Sequence, residues 1–228
     1  MSMTLNGALS SPEKFEGVDG LSSGPRLLRS TLTSPFGRKV RMAIEILGLE
    51  DRVLVVAADT RDEADTLRVQ NPLGKMPCLI LDDETAVYDS RVIIEFLDNW
   101  SGKKVLIPRD TDARARVLTR ATLADGIADA ALLMVYEGRF RSSEQVSEVW
   151  LAHQRGKVER ALCAIEKDLP DPQQTEISAI SLACALGYLD WRKPVEWRNQ
   201  HPILVDWLDR FEASEPAFKH TERPQEVI

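Results

Sequence analysis

The sequence has few cysteines and no long uninterrupted run of apolar residues. Its three cysteines, Cys78, Cys163 and Cys184, are too few and too widely spaced for a disulfide framework, and no Cys/His cluster has zinc-ligand spacing. No apolar run approaches the roughly 20 residues of a membrane span, and the N-terminus lacks the basic and then apolar pattern of a secretory signal. We therefore expect reduced core thiols, a cytoplasmic location, no metal site and no membrane partner.

Basic residues do not outnumber acidic residues in this sequence. The chain carries 29 Lys and Arg against 36 Asp and Glu, a formal net charge of −7, which argues against a nucleic-acid partner. A local basic cluster of Arg38, Lys39 and Arg41 remains compatible with a small anionic ligand. The length of 228 residues and the hydrophobic fraction of 43% indicate an ordinary globular protein with one large domain or two small ones.

Residues 26–56 show the pattern of a strand, a helix and a second strand. Ser34 is predicted to be the N-cap of the helix, with Pro35 at the first helical position, and Gly48 is predicted to end the helix. A crossover of this length predicts that the two strands are parallel. The apolar face of the helix is predicted to consist of Phe36, Val40, Ala43, Ile44 and Leu47.

The segment NPLGKMPCLILDDETAVYDSRVIIEFLDNW, residues 71–100, predicts a hairpin followed by a helix. CLIL and TAVY are strand-like runs separated by the acidic turn 82–84, which indicates an antiparallel pair. Pro77 precedes the first of these strands, where its missing N–H costs no ladder hydrogen bond. Ser90 is predicted to cap the helix that follows.

From about residue 113 the sequence shows helical periodicity and no convincing strand. We expect one long first helix, an almost wholly apolar central helix in TEISAISLACALGYLDW, and one final amphipathic helix in HPILVDWLDRFEASEPAF. The predicted organisation is a flexible tail at 1–25, an α/β domain at 26–103, a linker at 104–112 and an all-helical domain at 113–228.

These motifs, in this order, resemble those of the cytosolic glutathione transferases. SPFGRKVRMA, NPLGKMPCLI and YDSRVIIEFLD match the N-terminal motifs of that family, most of all in bacterial serine-type members, and SPFG is also similar to the plant tau class. The resemblance covers roughly residues 26–215. It implies an α/β thioredoxin-like N-terminal domain followed by an all-α C-terminal domain, and a homodimer with Arg91 and the first long helix of the second domain near the two-fold axis.

The resemblance gives Ser34 a chemical role. Ser34-Pro35-Phe36-Gly37 stands where a redox relative has Cys-x-x-Cys, so disulfide exchange by a paired dithiol is excluded there. It implies that the Ser34 hydroxyl and the helix N-terminus stabilise the glutathione thiolate, and each unit by which they lower the thiol pKa corresponds to about 1.4 kcal/mol. Two alternatives stay open: a plain N-cap worth about 1 kcal/mol, and a sulfur oriented by Thr33 instead.

The other glutathione contacts are also implied by the resemblance. A cis bond before Pro77 would turn the backbone N–H and C=O of Met76 toward the cysteinyl part. Ser90 and the helix N-terminus would take the γ-glutamyl carboxylate, and Asp89 would help with the ammonium group. Lys75, or a base from the first helix, would meet the glycyl carboxylate. The implied glutathione-binding residues are Thr33, Phe36, Lys75, Met76, Pro77, Asp89 and Ser90.

The electrophile pocket is expected between the Ser34 loop and the first long helix of the second domain. Its candidate residues are Asp125, Asp129, Leu133, Met134 and Tyr136. The resemblance implies a detoxifying glutathione transferase, with glutathione as co-substrate and no metal, that conjugates a small, mostly apolar electrophile. Two alternatives remain: a glutathione-dependent isomerase, lyase or peroxidase, and a non-catalytic regulatory or binding protein of the same fold.

Overall fold

The structure, a computed structural model, describes residues 24–223, so most of the predicted tail lies outside the described residues. The strands are β1 (Arg26–Ser30), β2 (Val53–Ala57), β3 (Cys78–Ile80) and β4 (Ala86–Val87). They form one sheet in the order β2-β1-β3-β4. β1 pairs parallel with β2, and β3 pairs antiparallel with β4, as the sequence predicts. The antiparallel pairing of β1 with β3 was not predicted.

Three helices belong to this half: α1 (Pro35–Leu47), α2 (Leu67–Gln70) and α3 (Ser90–Ser101). The prediction for α1 is confirmed at both ends, with Ser34 as N-cap and Gly48 in the left-handed conformation that ends the helix. The predicted apolar face of α1 is buried, apart from a half-buried Phe36. α2 was not predicted, because four residues are too few to give a periodic signal.

The start of α3 differs from the prediction. Asp89, not Ser90, is the N-cap, and its carboxylate accepts a hydrogen bond of 3.0 Å from the backbone N–H of Arg91. Ser90 is the first helical residue and is buried. Both residue types cap helices well, so the sequence alone did not separate the two adjacent positions.

The second half contains five helices among the described residues: α4 (Thr111–Phe140), α5 (Glu148–Ile165), α6 (Ile177–Arg192), α7 (Pro202–Ser214) and α8 (Pro216–His220). The succession of a thioredoxin-like mixed sheet and a helical region confirms the predicted fold class. None of the helices in the described part of the chain is both long and apolar enough to cross a membrane.

The central position predicted for α6 is confirmed, since twelve of its 16 residues are buried. The predicted final helix is instead two helices, α7 and α8. Glu215 lies between them in an extended conformation, which is the preferred conformation of a residue before proline.

A buried carboxylate organises the connection between the two halves. Asp98, near the end of α3, is 4% exposed and accepts hydrogen bonds from three consecutive backbone N–H groups. The donors are Val105, Leu106 and Ile107, at 2.9, 3.1 and 3.2 Å. The Asp98 carboxylate therefore satisfies backbone N–H groups that have no partner in a helix or a strand.

The cysteines divide into two buried residues and one exposed residue. Cys78 and Cys184 are buried, and burial raises the pKa of both thiols, that of Cys184 to about 11. Cys163 is exposed, so the prediction of a core thiol was wrong at this position. It lies on the outer face of α5, next to residues 161 and 162 on the buried face.

We predict that this difference appears in thiol reactivity. In the native protein at pH 8, the aromatic disulfide DTNB is expected to modify one thiol rapidly and the other two only on unfolding, because burial limits both access and ionisation. The Cys163→Ser variant should lose the fast phase, which is followed by absorbance. A fast phase that survives this substitution would contradict the assignment.

Candidate functional site

The first turn of α1 places a hydroxyl and a helix N-terminus at one point. Ser34 Oγ accepts a hydrogen bond from the Gly37 backbone N–H at 3.1 Å. Within residues 24–223, the Ser34 hydroxyl has no acceptor for its own hydrogen, whereas Thr33 Oγ1 lies 2.9 Å from Thr31 Oγ1. The Phe36 N–H belongs to the first turn and lacks an intrahelical partner. Ser34 can therefore cap the helix and donate to a ligand at the same time.

Close packing against the end of β1 sets the position of this first turn of α1. A Cβ atom at Gly37 would lie 2.1 Å from Ser30 Oγ and 3.3 Å from Ser34 Cβ. Ser30, the last residue of β1, is only 1% exposed, so its side chain has little room to move away. The absence of a side chain at Gly37 thus allows the capped turn to approach the end of the strand.

We predict that Gly37→Ala destabilises the protein by about 1–3 kcal/mol, the usual cost of an added methyl group in a packed region. Ser30→Ala removes the closest clashing atom, so the Ser30→Ala/Gly37→Ala variant should recover most of that loss. Urea unfolding of the wild type, both single variants and the double variant measures the effect. Equal destabilisation by Gly37→Ala in both backgrounds would contradict the assigned clash.

The residues predicted to bind the glutathione backbone lie on neighbouring segments. The Met76–Pro77 peptide bond is cis, as the resemblance implied, and precedes β3; the Tyr88–Asp89 bond is also cis. Lys75 is exposed, and its backbone carbonyl accepts from Asn71 Nδ2 at 2.7 Å.

Asp89 is held in place by Arg91. One Asp89 oxygen accepts from the Arg91 backbone, and the other lies 3.0 Å from an Arg91 guanidinium nitrogen. Partial burial acts to raise the pKa of the Asp89 carboxyl, but the hydrogen bonds and the charge of Arg91 outweigh it, and the pKa lies below its usual value. Asp89 is therefore a carboxylate at neutral pH, which suits an ammonium ligand.

The basic side chains of α1 do not converge on one ligand site, because each has different surroundings. Lys39, expected off the apolar face, is 1% exposed, and its Nζ lies 2.7 and 2.9 Å from the two carboxylate oxygens of Asp125. Arg38 donates to the Phe218 carbonyl at 2.6 Å and lies over the Phe218 ring. Burial lowers the pKa of Arg41. Lys39 could not be predicted as buried, because its countercharge comes from α4, 86 residues away in sequence.

The five residues predicted for the electrophile pocket all lie on α4, and their surroundings differ. The Asp125 carboxylate forms an ion pair with Lys39, and the Met134 side chain is buried. Partial burial and the charge of Asp125 raise the pKa of Asp129. Leu133 is exposed, and the Tyr136 ring packs edge-on against Phe140.

A cavity of about 350 Å³ lies beside Ser34. Its described walls come from the loop before α1, from the first turn of α1, from α6 and the segment after it, and from the C-terminal helices. The five predicted residues of α4 are not among them. The walls are apolar at Leu32 and Tyr188 and charged at Arg38 and Glu212. Across residues 24–223, no group of three or more His, Cys, Asp or Glu residues is arranged to hold a metal ion.

Comparison with known proteins identifies the family. The family model for the glutathione S-transferase N-terminal domain matches residues 33–100. An uncharacterized GST-like protein of Escherichia coli, YibF, is 32% identical over 203 residues, which cover 87% of this chain and 98% of that protein. The chain belongs to the glutathione S-transferase family. The resemblance predicted from the three sequence motifs is thereby confirmed.

Solved structures of this family are similar over nearly their whole length. A glutathione transferase family member from Pseudomonas fluorescens with bound glutathione is 43% identical, with a TM-score of 0.81, over 88% of this chain and 100% of that chain. A glutathione S-transferase from Methylobacterium radiotolerans in complex with glutathione sulfonate is 34% identical, with a TM-score of 0.79, over 90% and 97% of the two chains.

The sequence interpretation missed the cavity residues of α6 in this glutathione S-transferase family member. Tyr188 and Trp191 line the cavity, and Gly187 makes room for Arg38, because a Cβ at that glycine would lie 2.8 Å from an Arg38 nitrogen. One signal was available: Gly187, Tyr188 and Trp191 follow ten residues, 177–186, that are all small or aliphatic. Large aromatic residues with polar tips are typical of positions where a core meets a cavity.

Proposed function

We propose that this protein is a glutathione transferase in which the Ser34 hydroxyl stabilises the glutathione thiolate. The observation that carries the proposal is the Ser34 hydroxyl itself, which caps α1, keeps its own hydrogen free and borders a cavity. The similar Pseudomonas fluorescens protein with bound glutathione supports the choice of ligand. Thr33 is the weaker candidate, because its hydroxyl lies within hydrogen-bond distance of Thr31.

The proposed chemistry needs a thiolate at neutral pH. A free cysteine thiol has a pKa of roughly 8.5, so only a few per cent is ionised at pH 7. A hydroxyl hydrogen bond and the positive end of the α1 dipole both favour the charged form of the sulfur. The thiolate then attacks an electrophilic carbon and forms a C–S bond. The electron pair leaves with a leaving group, or goes to an adjacent carbon that is protonated by solvent.

The remaining glutathione contacts are part of the same proposal. The Met76 backbone, positioned by the Met76–Pro77 turn, would hold the cysteinyl part. Ser90 and the N-terminus of α3 would bind the γ-glutamyl carboxylate, and the Asp89 carboxylate would bind the ammonium group. The exposed Lys75 side chain is free to meet the glycyl carboxylate from solvent.

The cavity favours an electrophile with both apolar and polar parts. Leu32, Tyr188 and Trp191 offer apolar surface, whereas Arg38 and Glu212 add charge to the same walls. A wholly apolar molecule would displace water from Glu212 and from the exposed part of Arg38 without offering them a polar partner. We therefore propose a small electrophile with an apolar body and a polar or charged group, conjugated in a detoxifying reaction in the cytoplasm.

We also propose a homodimer, with Arg91 and α4 near the two-fold axis. The exposed Val92 beside Arg91 supports an interface at this end of α3. Sedimentation velocity should give twice the 25.6 kDa of the chain at micromolar concentration. A species that stays at the mass of one chain across the concentration range would contradict the dimer.

The decisive experiment is an ultraviolet difference titration of bound glutathione, which follows thiolate absorbance against pH. In the wild type the bound thiol should have a pKa well below the free value. Ser34→Ala should return it toward the free value and remove most turnover, while glutathione affinity changes only a few-fold. The reason is that the lost hydrogen bond acts on the charged sulfur and not on the rest of the peptide.

Two matched variants separate the possible roles. Ser34→Asp keeps an N-cap acceptor but places a negative charge at the sulfur, so it should retain stability and lose the thiolate. Thr33→Val should leave the bound thiol pKa unchanged. Glutathione that binds the wild type without any pKa shift would contradict the catalytic role and favour the regulatory or binding alternative, and an effect confined to Thr33→Val would move the role to Thr33.

A further inference from the structure

The cavity beside Ser34 has a cation from the same helix in its wall. Arg38 follows Ser34 by four residues, and its backbone N–H donates to the Ser34 carbonyl at 2.9 Å, so the two residues lie about one turn apart on α1. Both residues line the cavity. An electrophile that meets a thiolate at Ser34 therefore comes within reach of the Arg38 guanidinium group.

The helical half of the molecule holds this guanidinium group in place. Its Nη2 donates to the Phe218 carbonyl at 2.6 Å, and its central carbon lies 4.0 Å from the centre of the Phe218 ring. Nη1 borders Gly187 of α6 so closely that a Cβ atom there would lie 2.8 Å away. A cation held between α6 and α8 loses little side-chain freedom when it binds an anion.

The Arg38 guanidinium group keeps donors available for a ligand. Within residues 24–223 its hydrogen bond goes to a neutral carbonyl, from Nη2. Nη1 has no hydrogen-bond partner in that range and is not buried, whereas Nε is buried without a partner. A partly buried cation in this state is stabilised by an anion that enters the cavity, and a carboxylate matches the planar guanidinium group in shape.

Two acidic residues of the cavity wall act on a different cation. Both carboxylate oxygens of Asp190 accept hydrogen bonds from Arg198, at 2.9 and 2.6 Å. These hydrogen bonds, together with the nearby charge of Glu212, raise the pKa of Arg198. Arg38, in contrast, forms no ion pair with a carboxylate in the described part of the chain. Its positive charge is therefore available to a ligand.

The position of Arg38 suits the second substrate better than it suits glutathione. Its side-chain contacts are with Phe218 and Gly187, which belong to the helical half. The residues proposed to hold the glutathione backbone lie instead at the starts of β3 and α3, in the other half. A carboxylate at Arg38 is therefore one that the electrophile brings.

We propose that Arg38 is a specificity-determining residue, and that the electrophile is an acid whose carboxylate binds the Arg38 guanidinium group while its reacting carbon meets the thiolate at Ser34. This inference rests on the proposed function and deepens it, because it makes the polar group of the electrophile an anion. The sulfur forms a C–S bond at the reacting carbon, a leaving group departs with its electron pair, and the carboxylate stays unchanged.

The test uses two electrophiles of nearly the same shape: a chloronitrobenzoate, with chlorine para to the carboxylate and ortho to the nitro group, and the corresponding amide. In both, the glutathione sulfur replaces chloride, and absorbance follows the reaction. Arg38→Gln is expected to lower kcat/KM about tenfold or more for the carboxylate, the order of one charge-assisted hydrogen bond, and less than about twofold for the amide. Comparison across variants cancels the different intrinsic reactivities of the two compounds.

Two further variants locate the effect. Gly187→Ala keeps the charge of Arg38 but places a Cβ atom against Nη1, so it should also lower kcat/KM selectively for the carboxylate, while alanine itself suits the helix. Lys219→Gln is the matched control, because it removes a positive charge from an exposed position of the same cavity wall. It should change the ratio of the two kcat/KM values less than about twofold, since solvent and salt screen an exposed charge.

A binding measurement makes the test independent of turnover. Calorimetric titration in the presence of glutathione compares nitrobenzoate with nitrobenzamide, which lack the leaving group. The wild-type protein should bind nitrobenzoate more tightly than nitrobenzamide, and Arg38→Gln should lose that preference. The affinity of Arg38→Gln for glutathione alone should stay within a few-fold of the wild-type value.

The outcomes distinguish this inference from the proposed function. Glutathione that binds the wild type without a lowered thiol pKa overturns the proposed function, whereas a preference for nitrobenzoate that depends on Arg38 supports the anion site. A lowered thiol pKa, with equal losses for both electrophiles or no loss in Arg38→Gln, overturns the role of Arg38 alone. So does an equal loss of selectivity in Lys219→Gln. If Arg38→Gln does not fold, Gly187→Ala decides, and unchanged selectivity in that variant overturns the inference.

Discussion

The site depends on how closely the first turn of α1 approaches the end of β1. At Gly37 the backbone packs against Ser30 with no space for a side chain, and the same Gly37 donates its N–H to Ser34. The cap and the close approach therefore belong to one arrangement. Because interiors are packed as densely as organic crystals, this contact restricts the position of the turn that carries the Ser34 hydroxyl.

Local signals in the sequence were sufficient for α1 and for the β3–β4 hairpin of the α/β half. The caps at Ser34 and Gly48, the period of α1 and the acidic turn between β3 and β4 each act over a few residues, and each prediction is confirmed. The prediction of Ser90 as the N-cap of α3 was wrong because the local signal was ambiguous. Two good capping residues stood side by side, and the local chain held nothing to distinguish them.

Long-range contacts account for the parts that the sequence did not reveal. The burial of Lys39 depends on an aspartate 86 positions away, and the cavity beside Ser34 is closed by α6 and the C-terminal helices. A lysine on a helix is normally exposed, so only its partner makes Lys39 a core residue. The family resemblance supplied the fold and the proposed ligand, whereas the walls of the cavity beside Ser34 depend on contacts between elements far apart in this chain.

The three backbone amides that donate hydrogen bonds to Asp98 also determine where the chain tolerates an insertion. The carboxylate belongs to α3, so the connecting segment follows that helix as far as Ile107 before it is released toward α4. An inserted peptide tag before Val105 would have to displace a buried carboxylate from its donors. The short stretch between Ile107 and the start of α4 carries no such restraint from Asp98, and it is the natural site for an engineered insertion.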